Sequence, residues 1–140
     1  MGYKVFGDTI VMRLEIGEEI LESITNACRE CGFTSAVVTG IGATGYAKIG
    51  AGNELKDQYE TTEYSEKMEI VNLTGDVAMK EGKHTPHIHV VLAGPGGRQL
   101  VGGHLEKATI FSTAEIFIRK IDGTVEKKFF PEHGWWLLGV

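Results

Sequence analysis

No apolar run in the sequence is long enough to cross a bilayer, and the opening residues, MGYKVFGDTI, lack the apolar core of a signal peptide. A soluble cytoplasmic protein with no membrane role is therefore the expectation. Cysteine is scarce. The two present, Cys28 and Cys31, lie one helical turn apart, a spacing that suits neither a disulfide framework nor a secreted scaffold and agrees with a reducing compartment. Cys-x-x-Cys can also form a redox pair, but both thiols here fall on the apolar face of a predicted helix, where small side chains pack. Basic clusters are missing too. There are 14 Lys and Arg against 19 Asp and Glu, a formal net charge of -5, and adjacent basic residues occur only at Arg119-Lys120 and Lys127-Lys128. A field of this sign repels phosphate backbones, which disfavours direct gripping of duplex DNA.

Nothing divides the chain. Without an internal repeat, a low-complexity tract or a linker, residues 1–140 read as one domain, and 42% hydrophobic content supplies a single core. Thr9 to Glu15 reads as a strand bounded by Asp8 and Gly17. Ile20, Leu21, Ile24, Ala27, Cys28 and Cys31 then recur at the spacing of one helical face, with Glu18 and Glu19 favouring the helix start and Gly32 its stop. From Ser35 onward short apolar segments such as Ala36-Val37-Val38 and Ala47-Lys48-Ile49 are broken by glycines, as in a turn-rich sheet. Further strands are expected at Gln58 to Thr62, Met68 to Thr74, His87 to Ala93, Arg98 to Leu105, Ala108 to Lys120 and Thr124 to Phe129. The predicted class is α+β, a mostly antiparallel β-sheet with one main amphipathic helix.

The chemistry concentrates around His87-Ile88-His89. Side chains alternate along a strand, so His87 and His89 share one face while Ile88, Val90 and Leu92 take the other. Gly94-Pro95-Gly96-Gly97 is a strong turn signal, and a regular hairpin about Gly96 and Gly97 sets His89 opposite His104, Ile88 opposite Leu105, Leu92 opposite Val101 and His87 opposite Glu106. Cross-strand Cβ atoms are roughly 5 Å apart, so three imidazoles could share one ion at about 2.1 Å from each nitrogen. Gly102 and Gly103 leave room there for another backbone or a ligand. Neutral imidazoles suit zinc best among divalent metals, and three of them leave a coordination position open to water or a small anionic ligand unless Glu106 or another subunit fills it.

These motifs, in this order, resemble the plants and prokaryotes conserved (PPC) domain family over nearly the whole chain. The likeness runs through Arg13 to Glu19 and the helix, Gly40-Ile41-Gly42-Ala43, Met68 to Gly75, His87 to Val90, Gly102-Gly103-His104-Leu105 and Thr113 to Ile118. The resemblance implies a compact α+β fold, a homotrimer and, in some prokaryotic members, a metal held at positions matching His87, His89 and His104. It also implies a DNA-associated or regulatory role, as predicted for stand-alone prokaryotic members. In plant members the segment matching Met68 to Val71 is linked to contacts with other transcription factors. Lys67-Met68 stands where the plant motif typically has arginine and phenylalanine, and no Arg-Gly-Arg-Pro AT-hook is present, so the plant route to DNA is missing.

Several residues weigh differently. Glu115, in an apolar run, reads either as a half-buried acid near the metal or as one on a solvated strand face. His84, beside the Glu81-Gly82-Lys83 turn, is expected to be exposed, and His133 belongs to the tail. The apolar terminus with Phe129, Phe130, Trp135 and Trp136 must cover its own core or a partner subunit. Three functions stay open: a metal-binding trimeric module with a DNA-associated or regulatory role, a metal that only pins the hairpin, or a small zinc-dependent enzyme. The enzyme would act on an anionic or carbonyl substrate with Glu106 or Glu115 as proton carrier.

Overall fold

A computed structural model describes residues 2–53 and 58–140. In chain order the elements are β1 (Gly2–Phe6), β2 (Thr9–Leu14), α1 (Ile20–Glu30), β3 (Ala36–Asn53), β4 (Gln58–Tyr64), β5 (Met68–Lys80) and β6 (Lys83–Ala93). A short 3-10 turn at Pro95–Gly97 follows, then β7 (Leu100–Lys120), β8 (Lys127–Phe130) and β9 (Trp135–Leu138). Among the described residues, seven strands form one antiparallel sheet in the order β1-β2-β7-β6-β5-β3-β4, and β8 with β9 makes a separate hairpin. Because β7 also pairs with β3, the circuit β3-β5-β6-β7 closes on itself, which leaves those four strands with few free edges. The mostly antiparallel sheet with one helix agrees with the α+β expectation.

Alternation builds the core. Ile10, Met12 and Leu14 on β2, Ile88, Val90 and Leu92 on β6, and Ile110, Ala114, Ile116 and Ile118 on β7 all point inward and are essentially buried. The face of α1 carrying Ile20, Ile24, Ala27 and Cys28 seals this core. Burial pushes the Cys28 thiol up to about 12, so it stays protonated and packs as a small hydrophobe. Both cysteines are free. The left-handed Gly32, at φ 68°, ends the helix where expected.

The strands differ from the sequence expectation in extent. Residues 36–53 form one strand, because the glycines there sit inside β3 at close approaches and bulges rather than at reversals. The two segments expected at Arg98 to Leu105 and Ala108 to Lys120 likewise run together as β7. Strands β1 and β9 lie outside the expected set, and β5 continues past Thr74 to Lys80.

Glu19 ties helix to sheet. Its carboxylate accepts from the Glu22 amide at 2.7 Å, capping α1, and from the Ala108 amide at 3.1 Å, holding β7. Glu19→Ala loses both bonds and is expected to cost about 1–2 kcal/mol in urea unfolding. A variant as stable as the parent would show that this cap does not anchor the helix.

Candidate metal centre

Two hairpins fix the site. Across β6 and β7 the pairs are His89–His104, Val90–Gly103, Val91–Gly102 and Leu92–Val101, the register expected from the turn at Gly94 to Gly97. Across β5 and β6, Thr74 faces His89 and Asp76 faces His87. Beyond His104, however, β7 leaves β6 and joins β3, so Leu105 faces Ile49 and His104 also faces Gly50. The expected pairs Ile88–Leu105 and His87–Glu106 are therefore absent. Glu106 instead forms a 2.8 Å ion pair with Lys48.

Glycines permit this crossing. A Cβ on Gly103, whose φ is 154°, would lie 2.5 Å from the Gly50 carbonyl oxygen, so only glycine lets β3 come this close. Gly50 in turn lies under the Tyr59 hydroxyl, which fills the space a side chain would need.

The three imidazoles converge on the outer side of the closed circuit. Their ring centroids lie 5.2 Å apart for His87–His89, 5.1 Å for His87–His104 and 5.6 Å for His89–His104. One nitrogen from each can be chosen so that all three lie within 4.8 Å of one another. Tetrahedral zinc needs nitrogens about 3.4 Å apart, so modest ring rotations close the gap. His87 and His89 are exposed and His104 is half-buried, leaving one side of the cluster open.

The protonation states suit a cation. Partial burial pushes the His87 imidazole below its ordinary 6.5, with Lys127 adding to the effect and Asp76 opposing it. His104 is pushed the same way by burial and then by His87 and His89, against a weaker pull from Glu106. Neutral imidazole is the form that ligates. Asp76 Oδ2 lies 3.9 Å from His87 Nδ1, and Asp76 Oδ1 is buried without a hydrogen-bond partner among the described residues. A carboxylate so placed needs only a small shift to accept from His87 and orient its ring.

Other sequence candidates fall elsewhere. Glu115 is exposed and pairs with Arg13 on β2 and Ile41 on β3, far along β7 from His104. His84 is half-buried rather than exposed, opposite Met79, and its Nε2 has no partner among the described residues. His133 stacks loosely on Phe130, with centroids 6.5 Å apart. Asp76, Tyr59 and Lys127 join the site without having been expected there. Asp76 is legible in principle, since a tight turn at Glu81-Gly82 sets it opposite His87, but the other two arrive through tertiary packing.

An antiparallel sheet closed on itself and sealed by one helix, with three histidines gathered on its outer face, defines the class. The Plants and Prokaryotes Conserved domain, abbreviated PCC or PPC, matches residues 1–122, and the chain belongs to this family. Among solved structures, a metal-containing protein from Archaeoglobus fulgidus is 33% identical with a TM-score of 0.85, covering 98% of this chain and 96% of that one. A plant- and prokaryote-conserved protein from Pyrococcus horikoshii is also 33% identical at TM-score 0.85, covering 99% and 95%. A candidate DNA-binding protein from Ralstonia eutropha is 28% identical at TM-score 0.89, covering 99% and 95%. No curated protein matches.

Because the pKa values of His87 and His104 are depressed, the folded chain resists protonating them and binds fewer protons than the unfolded chain. Their contribution to stability is complete above pH 6.5 and is lost as pH falls through the lower folded values. Metal affinity follows the same direction. Zinc titrations at about pH 7.5 and about pH 5.5 should show affinity falling by about tenfold or more at the lower pH. Equal affinities would mean these imidazoles are not the ligands.

Proposed function

We propose that the protein is a metal-binding PPC module that holds one divalent ion, zinc by preference, with His87, His89 and His104. Three imidazole nitrogens within 4.8 Å of one another carry this reading. All three donors are neutral, borderline ligands, and burial favours the unprotonated form of His87 and His104. A bound ion would offer a Lewis-acidic position on the open side of the cluster.

The module works as a homotrimer with a DNA-associated or regulatory role. Self-association is supported by Val37, Ile41, Val71, Phe111 and Phe117, large apolar side chains left exposed on β3, β5 and β7. The Ralstonia relative supports the DNA association. The charge of -5 assigns duplex contact a minor part, so mobility shifts should show no retardation of DNA, or only a weak one confined to low salt. Tight retardation that survives high salt would contradict this.

A second reading, a small zinc-dependent enzyme acting on an anionic or carbonyl substrate, draws on the exposure of His87 and His89. Glu106, the acid two residues beyond His104, is engaged by Lys48, and the carboxylate beside His87 is Asp76, 3.9 Å from its Nδ1. Turnover lost in His89→Ala would favour it.

Elemental analysis of zinc-reconstituted protein should give about one ion per chain. The triple alanine variant of His87, His89 and His104 should hold none. His89→Ala alone should weaken zinc by more than about 100-fold, since outer-shell changes already cost about 10–100-fold. Equal zinc in parent and triple variant would remove the reading.

A further inference from the structure

The tail hairpin brings a lysine to the histidines. The Met79 amide donates to the Val125 carbonyl at 2.9 Å, and Met79 bridges Glu126 in parallel, so the chain returns to β5. The Lys80 ammonium, 4.4 Å from the Trp136 ring centroid, holds the hairpin there, and the Gly139 amide, which donates to the Glu126 carbonyl at 2.8 Å, extends the hairpin's own pairing. Lys127, the first residue of β8, is left half-buried directly after the Glu126–Met79 bridge, and Met79 is three residues along β5 from Asp76, the cross-strand partner of His87. Lysines are almost never deeply buried without a partner. Lys127 also lies beyond residues 1–122, which the family match covers.

Tyr59 closes the opposite flank. It extends from β4 so that its hydroxyl lies over Gly50, the cross-strand neighbour of His104, and its ring leans on Trp135 with centroids 6.3 Å apart. An ammonium and a phenol therefore bracket three imidazoles. Both are hydrogen-bond donors. Among the acids nearby, Glu106 is tied to Lys48, and Asp76 Oδ2 lies 3.9 Å from His87 Nδ1.

We propose that Lys127 and Tyr59 complete a composite pocket that holds an oxyanion, a carboxylate or phosphate group, against the open side of the three-histidine centre. The pocket rests on the metal-binding reading above. An ammonium, a phenolic O–H and a bound cation all attract negative oxygen, and the partial burial of Lys127 and His104 strengthens their share of that attraction over its value in water. A contrasting view gives Lys127 only the task of pinning the tail to the sheet through Asp76. That view places no demand on anion binding.

The protein loaded with cobalt(II) distinguishes these cases through its visible d–d bands. Inorganic phosphate and acetate are titrated separately, so that the preferred oxyanion is read directly. The parent should respond saturably to at least one of them. Lys127→Gln should weaken that anion by about tenfold or more and Tyr59→Phe by roughly threefold, while Lys127→Arg keeps most of the affinity. All variants should retain one cobalt per chain at near-parental affinity. Full cobalt binding with parental anion affinity in Lys127→Gln overturns the pocket and leaves the metal site standing. Should Lys127→Gln not fold, Tyr59→Phe, which removes one oxygen, decides the matter in the same way. A parent that binds no cobalt fails earlier, at the metal reading itself.

Discussion

The register of β6 is the constraint on which the site depends. Side chains alternate, so a slip of one residue would carry His87 and His89 into the core and turn Ile88, Val90 and Leu92 out to water. Each of those aliphatic side chains gains about 1.5–3 kcal/mol by burial, so the slipped pairing is strongly disfavoured. β6 is also clamped on both edges, by β5 along its length and by β7 from His89 to Ala93. The hydrophobic effect on one face thus positions the polar chemistry on the other.

What gathers a third imidazole is the change of partner by β7. At His104 the strand is still paired with β6 and already paired with Gly50 of β3, so the closed strand circuit passes through the site. Gly50 and Gly103 make that junction possible by removing two side chains where backbones meet. The same vacated space admits Tyr59. Fold closure and the placement of the histidines are therefore one arrangement, and crowding at this junction would disturb both.

Local pattern makes part of this legible in the sequence. The helix is readable from the spacing of Ile20, Ile24, Ala27 and Cys28, and the His89–His104 pair from alternation together with the Gly94 to Gly97 turn. The expected Glu106 partner for His87 fails, because nothing local reveals that β7 exchanges β6 for β3 just after His104. Glycine misleads in residues 36–53, where it marks close backbone packing inside one long strand rather than turns. Tyr59 and Lys127 carry no periodic signal at all, since Tyr59 arrives over Gly50 and Lys127 beside β5 from elements distant from His87, His89 and His104 in the chain.

The most direct test of the three-histidine centre is X-ray absorption at the zinc edge of the loaded protein. Three imidazole nitrogens at about 2.0–2.1 Å, with an oxygen ligand completing the shell, are the expected result. Sulfur at about 2.3 Å, or a shell of oxygens without imidazole scattering, would place the ion elsewhere and contradict it.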